Sequence, residues 1–182
     1  MTFSLSTTSF SLLGLLVFDS ATSETGLTGY ELKQRADRTL RFYWVSPAMS
    51  QIYTELERLS RRGFVEAADD TSGKRPTRRF RITATGRDAL TTWLHTSKLD
   101  FPILKHPIAL RLMMGALMAP GEVESMLDSY VEQLTDMRRE LEGVREMLGD
   151  NEAVAYPARV ADWGLSFYDS EVEIVNALRR TL

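Results

Sequence analysis

No cysteine occurs in the 182 residues, which excludes disulfides and thiolate-bound metal from what holds the chain together. Histidine is nearly absent: His95 and His106 are the only two, neither has a carboxylate at ligand spacing, and no metal site is expected. The sequence carries no G-x-S-x-G, P-loop, G-x-G-x-x-G or H-E-x-x-H pattern, so no catalytic motif and no cofactor is implied and the chain does not read as an enzyme. Long apolar runs are missing as well. The longest, residues 12–18, is broken by Gly14 and falls far short of the ~20 residues a membrane-spanning helix needs. No Lys or Arg precedes Lys33, so the apolar start lacks the basic flank of a secretory signal. It reads instead as a first helix packing Phe10, Leu12, Leu13, Leu16 and Val17 on the rest of its domain, with the cytoplasm as the default compartment. A basic excess is missing too: 22 Lys+Arg face 25 Asp+Glu, a net charge of −3, which argues against a surface uniformly coated for nucleic acid.

What is present is divided. Residues 1–97 carry a net +3 and residues 98–182 a net −6, and two halves of opposite sign suggest two jobs. Thr28 and Glu31 have the spacing of a capping box, which predicts a second helix from residue 28. Ser46 followed by Pro47 predicts the start of a third, with Met49, Ile52, Leu56 and Leu59 on one face and Gly63 ending it in a left-handed conformation. The period then changes. Residues 64–67 and 79–83 read as strands joined by a loop over 69–78, a β-hairpin with a basic tip. A fourth helix over 83–97, capped by Thr83 or Thr85, buries Leu90, Trp93 and Leu94. Pro102 and Pro107 mark a linker.

Helix, helix, helix, hairpin is the order of a winged helix-turn-helix, whose recognition helix enters the major groove and whose wing follows the backbone. With Ile52, Leu56 and Leu59 inward, the opposite face of the third helix carries Pro47, Ser50, Gln51, Thr54, Arg58 and Arg61. Small hydroxyl and amide groups suit base edges, and the arginines further along suit phosphates. The hairpin adds Lys74, Arg75, Arg78, Arg79 and Arg81, available in part to neutralise phosphate. Each feature alone also has a plainer reading, as an ordinary solvated helix face or an edge strand guarded by charge. Tyr53 sits at the boundary of the helix face, either as a core ring with its hydroxyl outside or as a phosphate contact.

Residues 98–182 are helical in another way. Val123, Leu127, Tyr130, Leu134, Met137, Leu141, Val144 and Leu148 alternate spacings of four and three without a break, the heptad pattern of a coiled-coil seam. A last helix from about residue 157 repeats Val160, Trp163, Phe167, Ile174 and Leu178, and packs antiparallel on the heptad helix of the same chain or of another. The fold class is therefore mainly α: a winged helix-turn-helix (three helices plus a β-hairpin wing) over 1–97, followed over 98–182 by a helical, coiled-coil-like dimerisation domain. Its seam is formed by the heptad residues with Trp163 and Phe167. Sequence-specific binding of double-stranded DNA is the leading function; a helical protein-interaction adaptor whose winged helix does not read DNA is the alternative.

Gly29-Tyr30-Glu31-Leu32 after an apolar helix, then Ser46 with Gln51-Ile52-Tyr53, Leu56, Leu59, Gly63 and Val65, resemble the PadR-type transcriptional regulators. Lys74-Arg75-Pro76 and the run from Arg79 to Gly86 look like that family's wing and its strand-to-helix junction. The resemblance covers about residues 8–95, and the helical C-terminus looks like the subfamily with an extended dimerisation domain. It implies a homodimeric repressor reading a palindromic operator, with Ser46, Gln51, Tyr53 and Thr54 at or near the groove and Lys74, Arg75 and Arg78 on the wing. Thr54 stands where the family often has proline after the tyrosine, and Thr28 where it usually has histidine before Gly-Tyr. The family also implies a small aromatic effector. Trp93, next to the linker, is the first candidate for a pocket wall, against the plainer reading that the large rings are core or interface.

Overall fold

The computed structural model describes residues 5–20, 25–70, 77–98, 101–102 and 105–182. They fall in two compact units, Met1–Asp100 and Phe101–Leu182.

In the first unit, helix α1 (Thr7–Ser20) buries Phe10, Leu12, Leu13, Leu15 and Leu16, because its apolar residues occupy more than half the helix circumference. A two-residue strand β1 (Leu27–Thr28) leads into α2 (Gly29–Thr39). The capping box forms as the spacing requires: Thr28 Oγ1 accepts from the Glu31 N–H and Glu31 Oε2 accepts from the Thr28 N–H. A 3-10 turn, Leu40–Phe42, comes next. Helix α3 (Met49–Arg61) begins later than expected: its N-cap is Ala48, not Ser46, and no side chain caps it. The Ser46 hydroxyl is engaged elsewhere, on Asp37 and Lys33 of α2, and Pro47 is buried. Ile52, Leu56 and Leu59 are fully buried, and Gly63 takes the left-handed conformation at φ 71°.

The wing strands β2 (Val65–Asp70) and β3 (Thr77–Ile82) pair antiparallel, with Glu66 opposite Arg81 and Asp69 opposite Arg78. They run further than the predicted 64–67 and 79–83, since Asp69, Asp70, Thr77 and Arg78 belong to strands rather than loop. Cross-strand pairs of opposite charge stabilise that extension. β1 joins the outer side of β3, giving a three-stranded sheet in the order β1-β3-β2; two residues are too few to show a period in sequence. Helix α4 (Ala84–Thr96) is capped by Thr83, which accepts from the Gly86 N–H. Leu90 and Trp93 pack against the core, whereas Leu94, expected to be buried, is 65% exposed: the core contact of α4 runs through Leu90 and Trp93.

In the second unit, a short helix α5 (Pro107–Leu112) stands where only a linker was expected. It is too short for a periodic pattern. Helix α6 (Glu122–Leu148) and helix α7 (Ala155–Arg179) form an antiparallel hairpin, tied by Arg145 to Asp162 and Arg138 to Asp169 at 2.8 and 2.7 Å and by Arg179 to Asp128. Leu127, Leu134 and Leu141 are buried in the chain itself, so this layer of the heptad seam serves the intrachain hairpin. The face that α7 turns inward is not the predicted stripe but Ala158, Ala161, Gly164, Tyr168 and Val175. Small residues let the helices approach closely: a β-carbon on Gly164 would lie 2.7 Å from a Leu141 methyl. Trp163, Phe167, Ile174 and Leu178 remain outside, 38–66% exposed.

Candidate nucleic-acid interface

The burial of Ile52, Leu56 and Leu59 turns the opposite side of α3 outward, and Ser50, Gln51 and Thr54 are exposed there. The Thr54 hydroxyl donates to the Ser50 carbonyl at 2.9 Å, leaving its lone pairs free to accept, while the Gln51 amide is fully presented. Further along, Arg61 is exposed, and Arg58 reaches back to Glu55 with 3.2 Å between Nη1 and Oε1. Tyr53 takes a position between its two sequence readings. Its ring lies over Gly29 at the start of α2, where a β-carbon would fall 2.7 Å from two ring carbons, yet 46% of the residue stays exposed. Ser46, half-buried just before α3, has its hydroxyl engaged. Its hydroxyl donates to Asp37 Oδ1 at 2.6 Å and accepts from Lys33 Nζ at 3.1 Å. Hydrogen bonds from Lys33 and Ser46 hold the Asp37 carboxyl below its ordinary value.

The wing is less basic in space than in sequence. Arg79 is bound by Asp70 at 2.9 Å, Glu31 at 3.2 Å and the Gly26 carbonyl at 2.7 Å, and the bond to Asp70 leads the causes that raise its pKa. It fastens β1 and α2 to the sheet. Arg81 pairs with Glu66 at 2.9 Å. Arg78 is exposed, its guanidinium 5.8 Å from the centre of the Phe80 ring. Lys74 and Arg75 lie outside the described residues. Trp93 stacks on Phe10 at 4.6 Å with 11° between planes, which covers one of its faces with α1.

Two residues gained importance only in space: Asp37, which positions Ser46, and Glu55, buried among the apolar residues of α3; Gly29, already part of a sequence motif, proves to be the seat of Tyr53. The i,i+4 spacing of Lys33 and Asp37 was the one signal in sequence. In the second unit, Tyr130, His106 and Glu171 meet at 3.0–3.1 Å. Burial, then Glu171, pushes the Tyr130 phenol far up. Tyr130 thus fills a heptad position with a polar link to α7 as well as a ring. Among the described residues no cluster of metal-ligating side chains occurs, and no helix is long and apolar enough to cross a membrane.

Residues 20–92 match the model of the Transcriptional regulator PadR-like family, a family of regulators rather than enzymes. No curated protein sequence matches the chain. Among solved structures, Bacillus subtilis PadR in complex with operator DNA is similar over 98% of this chain and 99% of its own, at 19% identity and a TM-score of 0.82. The PadR-like transcriptional regulator BC1756 from Bacillus cereus is similar over 97% of this chain and 96% of its own, at 17% and 0.76. Bacillus subtilis PadR in complex with p-coumaric acid is similar at 20% and 0.70, over 93% and 91%. At these identities the likeness establishes the fold.

Proposed function

We propose that this chain, whose residues 20–92 match the PadR-like family model, is a cytoplasmic homodimeric repressor that binds a palindromic operator. The observation that carries this reading is the exposed row Ser50, Gln51 and Thr54 on α3, flanked by Arg58 and Arg61, on a fold shared end to end with a regulator solved on operator DNA. Ser50, Gln51 and Thr54 discriminate base edges. Arg58, Tyr53 and the wing residues Lys74, Arg75 and Arg78 hold the backbone; Ser46 acts indirectly, by joining α2 to the segment entering α3. A second copy of the chain covers Trp163, Phe167, Ile174 and Leu178, which are exposed. The complex of the Bacillus subtilis regulator with p-coumaric acid supports a small aromatic effector, for which Trp93 is the first residue to probe.

The test is binding of the purified protein to a fluorescent duplex from upstream of its own gene, against random DNA, at two salt concentrations. Tight binding that prefers the upstream site and weakens steeply with salt is the expected result. Weak binding indifferent to sequence and salt would instead favour an adaptor whose winged helix does not read DNA.

A further inference from the structure

Glu55 is a carboxylate on the recognition helix, 7% exposed, in a protein whose proposed ligand is a polyanion. Such a group costs affinity by repulsion and stability by desolvation unless it does something else. At about 100° per residue it lies on the flank of α3 between the buried stripe and the exposed row, on the same side as Gln51 and Arg58. Two groups hold it. From α1, the hydroxyl of Ser9, itself fully buried, donates to Oε2, and the Ser9 hydroxyl is in turn within 3.1 Å of Ser6 Oγ. From α3, one nitrogen of Arg58, Nη1, lies 3.2 Å from Oε1 and 3.5 Å from Oε2.

The chemistry of the guanidinium makes this asymmetry useful. Arg carries five N–H donors in a rigid planar fork. Among the described residues Glu55 is the one acceptor that holds Arg58, and it takes a single nitrogen; Nε and Nη2 stay available, on a side chain that is 44% exposed. A free arginine would lose much rotamer freedom on meeting a phosphate, whereas one already pinned at one corner has lost part of it in advance.

We propose that Glu55, pinned to α1 by Ser9, is a positioning residue that aims the free edge of the Arg58 guanidinium at the DNA backbone. The inference rests on the DNA-binding reading of the chain. It makes α1, which contributes no side chain to the exposed row of α3, a partner in recognition.

The test is a double-mutant cycle on duplex affinity, using Glu55→Gln, which keeps an oxygen for Ser9, and Arg58→Ala. Glu55→Gln alone should weaken binding roughly 3- to 10-fold, and should change nothing in the Arg58→Ala chain. Ser9→Ala leaves α3 untouched and provides a second route, with a smaller loss that again vanishes without Arg58. Circular dichroism checks that each variant is folded. An equal loss in both backgrounds means Glu55 only supports the helix, and tighter binding in both means it acts only by repulsion; either result overturns the proposal while leaving the DNA-binding reading intact. Failure of the unaltered protein to bind any duplex overturns both.

Discussion

A β-carbon on Gly86 would sit 2.1 Å from the carbonyl oxygen of Phe64, and backbone cannot step aside as a side-chain tip can. Gly86→Ala should therefore separate the start of α4 from the entry to β2 and destabilise the N-terminal unit by about 2 kcal/mol or more; a lowered thermal midpoint checks this. At the exposed face the expected effects are functional. Gln51→Ala should relax preference at one or two base pairs, with a discrimination loss of about 1–3 kcal/mol. Arg78→Ala should weaken all sequences alike and lower the salt slope by about one. Competition binding across a set of single-base operator variants separates the two patterns, and equal effects of Gln51→Ala on specific and random DNA would sink its assignment. Gln51 was legible from helical spacing alone. Ser46 was not, because its hydroxyl is claimed by Asp37, nine residues earlier, and an N-cap rule sees only the residues downstream of the cap.

Helix α2 joins the sheet and α3 through its first turn. Burial pushes the Glu31 carboxyl up, but hydrogen bonds from Thr28 and the nearby Arg79 outweigh it, and the net shift is down from 4.5. A lowered folded value means that the contribution of Glu31 is fully present above its unfolded pKa and is lost as pH falls through the folded one. Asp19 behaves oppositely. Its burial in α1 outweighs the attraction of Arg35, 2.7 Å away, and raises it, so its contribution is present below the unfolded value and fades as pH rises through the folded one. Thermal midpoints measured from about pH 6 to about pH 3 should fall less steeply in Glu31→Gln and more steeply in Asp19→Asn. The capping box was readable because both partners lie within four residues. Arg79 as its third member was not, since β1 places it there from 48 residues away.

Across the whole molecule, the heptad repeat has less freedom than its regularity suggests. Leu127, Leu134 and Leu141 are closed within the chain, so replacing any of them should unfold the hairpin rather than dissociate a dimer. The outer face of α7 is different: Trp163 is 66% and Phe167 45% exposed. Trp163→Arg with Phe167→Arg should yield a monomer by sedimentation with helicity unchanged. On the proposed dimer, DNA affinity should then fall at least about tenfold, because two linked half-site contacts would become one. A dimer that survives both changes would move the interface elsewhere.

Local spacing was enough for the winged-helix order, the capping box, the left-handed end of α3 and the outward row Ser50, Gln51 and Thr54. Each depends on separations of one to four residues, within which a helix or turn has only one geometry. Beyond that range, packing in three dimensions took over. It selected the face of α7 that meets α6, where Gly164 allows a close approach that a wider apolar stripe does not. Among the described residues it left Arg78 without an ion pair once Glu31, Glu66 and Asp70 had taken Arg79 and Arg81. And it brought Ser9 to Glu55 across 46 residues, because long-range partners are selected by packing of whole elements, which no local pattern encodes.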